Sequence, residues 1–130
     1  VHTLNLSNCY KITDVSALGN CHTLLLDDCI QITAQVLSED AHTLSLKGCF
    51  KISDISALGR VHALDLSELW EITDVSALRG VHTLSLNGCR NVSDVSALAG
   101  VHTLNFGNCN GITDVSPLRG VHNLNISECS

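Results

Sequence analysis

Apolar residues recur along this chain at fixed places. Val1, Leu4, Leu6, Cys9, Ile12, Val15 and Leu18 form the first set, and each has its echo twenty residues on. The phrase Val1-His2-Thr3-Leu4-Asn5-Leu6 returns at 21, 41, 61, 81, 101 and 121 with no insertion. A fixed period of this size predicts a solenoid, because one unit cannot bury its apolar face until a neighbour stacks on it. Thr3-Leu4-Asn5-Leu6-Ser7 alternates polar and apolar, which predicts a short strand with Leu4 and Leu6 inward and Thr3, Asn5 and Ser7 outward. Successive strands run the same way, so they must form a parallel sheet.

The other half of each unit starts where Asn8-Cys9-Tyr10-Lys11 leads the chain away from the sheet and Ile12 returns to the core. Asp14-Val15-Ser16-Ala17-Leu18 predicts one helical or 3₁₀ turn, with Asp14 as N-cap and Val15 and Leu18 on one face. Gly or Asn then closes the unit, as at Gly19-Asn20, Gly59-Arg60 and Arg79-Gly80, and is expected to supply the left-handed residue before the next strand. Pro117, the only proline, falls in the first turn of its unit, where a missing N–H costs least.

Val1-x-x-Leu4-x-Leu6-x-x-Cys9 and its copies resemble the leucine-rich repeat family, whose core phrase is L-x-x-L-x-L-x-x-N/C. Ile72-Thr73-Asp74-Val75-Ser76-Ala77-Leu78 is similar to the convex segment of the subclass found in bacterial internalins and a phosphatase regulatory subunit, and Cys at the ninth position is similar to the F-box type. The resemblance covers essentially the whole chain. It implies an α/β solenoid: an arc with a concave parallel β-sheet, short helical or 3₁₀ turns on the convex side, and a protein-binding role without catalysis. Residues 1–130 are expected to form a single domain of six full repeats and a partial seventh. Seven strands at about 4.8 Å spacing would span only about 30 Å. The chain opens directly on a strand and stops midway through a unit, which predicts a piece of a longer array.

Composition narrows the partner. Seven Lys and Arg, scattered singly, stand against thirteen Asp and Glu for a net charge of −6, which argues against nucleic acid or an anionic lipid surface. No apolar run is long enough to span a bilayer, so no membrane is expected as a partner. Six of seven cysteines share the ninth repeat position and Cys21 stands for a Val, so they read as buried thiols with S–H directed at a backbone carbonyl, and the compartment as intracellular and reducing. Sequons at Asn5, Asn91 and Asn125 point the other way, but Asn5 and Asn125 fall on strands, where a glycan has little room.

Two columns invite chemistry. A histidine opens every unit, from His2 to His122, and neighbouring imidazoles would set like charges side by side when protonated. A metal centre needs three or four convergent ligands with fixed outer partners, whereas the column repeats one pair, so no metal site and no cofactor are expected. Histidine, cysteine and aspartate also coexist in nearly every unit, but an active site is a singular constellation, so no catalytic residue and no enzyme are expected.

Departures from the repeat point to function, since outward positions are free of packing. They cluster in residues 21 to 80. Leu25 and Asp65 stand at outward strand positions, with Asp27, Lys47 and Glu68 on the turns beside them. At the tenth position Tyr10, Ile30, Phe50 and Trp70 form one row, either packed as a rim over the cysteine column or exposed as a patch awaiting a partner. In the second unit Ile32-Thr33-Ala34-Gln35-Val36-Leu37 breaks the convex pattern, so the surface should bulge near Gln35. The expected function is a protein-protein interaction module whose partner, a basic one being favoured by the acidic surface, contacts Tyr10, Leu25, Asp27, Lys47, Phe50, Asp65, Glu68 and Trp70. A structural spacer without a dedicated ligand is the alternative. A lattice-ordering surface built on the threonine column ranks below both, because Ala63 and Asn123 interrupt that column.

Overall fold

Leu4 and its equivalents Leu24, Leu44, Leu64, Leu84, Leu104 and Leu124 sit at the middle of seven short strands in a computed structural model that describes residues 3–15, 21–32 and 41–126. The strands are β1 (Thr3–Asn5), β2 (Thr23–Leu25), β3 (Thr43–Ser45), β4 (Ala63–Asp65), β5 (Thr83–Ser85), β6 (Thr103–Asn105) and β7 (Asn123–Asn125). They pair in sequence order, all parallel, with each residue opposite its equivalent twenty positions away, as Leu64↔Leu84 illustrates. Identical register at every pair is what an uninterrupted period demands, because a slip of one residue would turn Leu64 to solvent.

Backbone pairing continues past the strands. The amide of Leu26 donates to the carbonyl of Ser45 at 2.9 Å and that of Asp28 to the carbonyl of Lys47 at 2.7 Å, and the same two bonds recur at Leu66–Ser85 and Glu68–Asn87. The sheet is therefore wider than its three-residue strands, and the turn that leaves it is held as firmly as the strand itself.

That turn corrects the sequence expectation for the left-handed residue. Positive φ occurs at the eighth position, at Asn8, Asp28, Gly48, Glu68, Gly88 and Asn108, with values from 60° to 77°. The unit-closing residues Gly59, Arg79 and Arg119 are right-handed at −67°, −60° and −58°. Asn, Asp and Gly tolerate the left-handed region through small or locally hydrogen-bonding side chains, and Glu68 is the one residue in the set that does not.

On the far side lie 3₁₀ turns at Ser56–Leu58, Ser76–Leu78, Ser96–Gly100 and Ser116–Leu118. Val75 and Leu78, three apart, are both buried, as are Val95 and Leu98. The aspartate works one residue earlier than an N-cap would: Asp54, Asp74, Asp94 and Asp114 each accept the amide of the serine two residues on, at 2.9 to 3.0 Å, and the residue between caps without its side chain. The serine amides, and then the serine hydroxyls, hold the carboxyls of Asp54, Asp74 and Asp94 below the usual aspartate value, and at Asp114 the Ser116 hydroxyl leads and its amide follows. The altered convex segment around Gln35 lies outside the described residues.

Between the two sides runs one apolar core of leucine, isoleucine, valine and cysteine, with Phe106 replacing a leucine in the sixth unit. The thiols bond across units as expected. Cys29 Sγ donates to the carbonyl of Leu6, Cys49 to Leu26, Cys89 to Leu66 and Cys109 to Leu86, each at 3.0 Å. Burial pushes the thiols of Cys49 and Cys89 up to about 12, which removes the thiolate that redox or nucleophilic chemistry requires.

Candidate functional site

Alternation along each strand sends its first and third residues to the open face of the sheet, and this face is where the units differ. Leu25, at the end of β2, is half-buried between Asn5 and Ser45. Asp65, at the end of β4, lies between Ser45 and Ser85. Its Oδ1 accepts the Ser67 amide at 2.9 Å and the Ser67 hydroxyl at 2.6 Å. Ser67 is only 5% exposed and its Oγ also lies 2.9 Å from the Oγ of half-buried Ser85, so the carboxylate stands on a linked hydroxyl pair that fixes its direction. Asp27 is tied in a similar way, accepting the hydroxyl of Ser45. Lys47 and Glu68 are exposed on the turns beyond their strands.

The shortest outward side chains on the sheet, Ser45, Ala63 and Ser85, surround Asp65. Thr43 and Thr83 border them, and together they enclose an open basin of about 370 Å³. Thr103 and Asn105 also line it on the β6 side, and elsewhere the third strand position carries Leu25, Asn5 or Asn125, which are longer than serine. Sequence reasoning named Asp65 but missed Ser67, Ser45 and Ser85. The signal was a run of small hydroxylated residues on either side of the single strand-borne carboxylate.

Of the two readings left open for the tenth-position row, the exposed one holds. Tyr10, Phe50 and Trp70 are 56%, 41% and 49% exposed, and Ile30 is half-buried. Phe50 and Trp70 stack on each other with ring centroids 5.0 Å apart at 27°. Tyr10 stands two units away across Ile30, with its hydroxyl 3.4 Å from Asn8 Oδ1, so the candidate row resolves into a stacked pair and an outlier. The Trp70 carbonyl accepts the side-chain amide of Asn91, which braces the pair from the fifth unit and occupies the nitrogen a glycan would need.

Along the other edge of the strands the histidines form a continuous stack. Rings of His22, His42, His62, His82, His102 and His122 lie 4.5 to 4.7 Å apart and within 23° of parallel. Stacked rings direct their nitrogens side by side instead of toward a common point, and among the described residues no three His, Cys, Asp or Glu side chains converge as metal ligands do. Lost hydration, followed by repulsion from the neighbouring rings, holds His42 and His82 below the usual histidine value.

No family model and no curated protein matches the chain. Solved structures do. An internalin (inlF) from Listeria monocytogenes matches with a TM-score of 0.66 and 28% identity over 87% of this chain. The chain is a leucine-rich repeat solenoid. A second match, an internalin C2 (inlC2) from the same organism, gives a TM-score of 0.52 and 20% identity over 98% of this chain and 81% of that one, and speaks for the fold alone. This leucine-rich repeat array spans 37% of the length of inlF. Its fold offers a sheet face, a rim and a convex side as surfaces. Among the described residues, no helix of the array is long and apolar enough to cross a membrane.

Proposed function

We propose that this array is a non-catalytic protein-binding module of one domain that engages its partner with the sheet face and rim of its first four units. The exposed Phe50–Trp70 stack carries the reading, because a half-exposed tryptophan held rigid by a neighbour is the kind of anchor that dominates protein interfaces. Leu25, Asp27, Lys47, Asp65 and Glu68 extend the contact across the sheet and its turns, and Tyr10 marks its outer limit. The net charge of −6 favours a basic partner and speeds its approach. The buried thiols of Cys29, Cys49, Cys89 and Cys109, each donating to a backbone carbonyl and none in a disulfide, support an intracellular, reducing setting.

A spacer without a ligand is the alternative, and one observation favours it for part of the chain: units five and six present the nearly uniform outward pairs Thr83/Ser85 and Thr103/Asn105. Quantitative capture from native lysate separates the two readings. Wild-type array and a Trp70→Ala, Asp65→Lys variant serve as baits, with the fold of each checked by circular dichroism. A protein recovered at least about tenfold less with the variant, a loss of about 1.4 kcal/mol or more, is the expected result. Identical recovery by both baits leaves the spacer.

A further inference from the structure

We infer that the basin over β3, β4 and β5 receives one arginine side chain of the partner, with Asp65 as its acceptor; this rests on the protein-binding reading above. The argument begins with shape. Ala63 stands where β3 and β5 carry Thr43 and Thr83, and Ser45 and Ser85 stand where other strands carry leucine or asparagine, so the sheet is hollowed around β4; a second open hollow, over β6 and β7, is lined by no carboxylate. A carboxylate occupies the floor of that hollow.

Orientation is the second point. Both hydrogen bonds to Asp65 end on Oδ1, from the Ser67 amide and the Ser67 hydroxyl. That leaves Oδ2 without a hydrogen bond among the described residues, on a side chain that lines the basin and is held by a serine that is itself almost wholly buried and linked to Ser85. An anion pre-aimed in this way gives a charge-assisted bond to an incoming cation with little ordering left to do.

The acceptors around it decide between cations. Ser45 spends its proton on Asp27, which leaves its oxygen as an acceptor at the basin, and the hydroxyls of Thr43 and Thr83, beside Nδ1 of His42 and His82 at 3.3 and 3.0 Å, ring the rest. Such a set matches a planar group with five N–H donors better than a compact ammonium. The remaining charges that the described strands and their turns place nearby are Asp27, bonded to Ser45, Glu68, exposed on the turn after β4, and Lys47, exposed on the turn after β3. Asp27 reinforces the preference for a cation and Lys47 opposes it from the rim of the basin.

The probe is N-acetylarginine amide, titrated into the isotope-labelled full chain at low salt and followed by amide chemical shifts, with the uncharged N-acetylcitrulline amide as control. Saturable shifts confined to residues 43–45, 63–65 and 83–85, larger by about fivefold for arginine than for citrulline, are expected. Asp65→Asn keeps the oxygen that Ser67 needs and should reduce the arginine shifts to the citrulline level. Ala63→Thr restores the residue that neighbouring strands already carry, so it should fold and should also suppress them by filling the hollow. Equal shifts for the two ligands, or arginine shifts that survive both substitutions, would overturn the inference. Partner capture stays independent: a bait that loses its partner on Trp70→Ala yet shows no arginine-specific shift keeps the binding reading and loses this one.

Discussion

The fourth unit, residues 61 to 80, and the fifth, residues 81 to 100, have the same backbone and different surfaces. Both bury a leucine at the strand centre and another two residues on, and both close with a Ser-Ala-Leu 3₁₀ turn. Yet the fourth shows Ala63, Asp65, Glu68 and Trp70 where the fifth shows Thr83, Ser85, Gly88 and Arg90. Stacking dictates the inward set so strictly that it carries no information about a partner. What distinguishes one unit from the next is written on the outward positions, and the proposed binding site rests on the contrast between 61–80 and 81–100.

If the two cores are interchangeable, matched deletions in them must cost the same. Leu66→Ala and Leu86→Ala, both fully buried, should each lower stability by about 2–5 kcal/mol and should agree within about 1 kcal/mol in urea unfolding. A clear disagreement would break the equivalence. The turns offer a sharper contrast. Gly48 and Gly88 share a left-handed φ, but a methyl on Gly48 would overlap Asp28 Oδ1 while one on Gly88 would meet only Glu68 Cγ at 3.4 Å. Gly48→Ala should therefore cost about 1–3 kcal/mol and Gly88→Ala about 1 kcal/mol, ordered that way in the same assay.

Acid should test both units alike, because the imidazole stack runs evenly through them. The folded pKa of His42 and of His82 lies below 6.5, so the neutral ring is favoured in the folded chain. That contribution is complete above pH 6.5 and is lost as pH falls through the lowered folded values. Urea midpoints should drop between pH 7.5 and pH 5.5, and His42→Gln or His82→Gln should reduce the drop by similar small amounts. Midpoints that do not move would show that the stack tolerates its own charge. A further decline belongs below pH 3.8, where Asp54, Asp74, Asp94 and Asp114 lose the bonds to their serine amides.

Much of this was legible in the residues. The period revealed the solenoid, the alternation of Thr3-Leu4-Asn5 revealed the inward leucines, and the phase of the cysteines revealed bonded thiols. The left-handed position was misread because Gly59, Gly80 and Gly100 drew attention to the end of the unit. The column Asn8, Asp28, Gly48, Gly88 and Asn108 held the better clue, since those residue types share a tolerance for positive φ that leucine or valine lacks. Exposure of the aromatic row could not be read from spacing, because a ring at a turn can fold over the core or away from it with the same sequence. The support under Asp65 was hidden for a related reason: Ser67 and Ser85 are neighbours only once the strands are in register.

Among the described residues, one joint between units lacks the thiol bond that the others carry. Thiol-to-carbonyl bonds cross from the second unit to the first, the third to the second, the fifth to the fourth and the sixth to the fifth, but Leu69 occupies the cysteine position of the fourth and has no proton to give Leu46. The Phe50–Trp70 stack spans that very joint from outside. That joint keeps its backbone bonds, Leu46 to the Asp65 carbonyl at 2.9 Å and Gly48 to that of Ser67 at 3.1 Å, so it lacks only the thiol rivet and carries an aromatic clasp in its place. A partner that grips the clasp would stiffen the whole arc by holding a single seam.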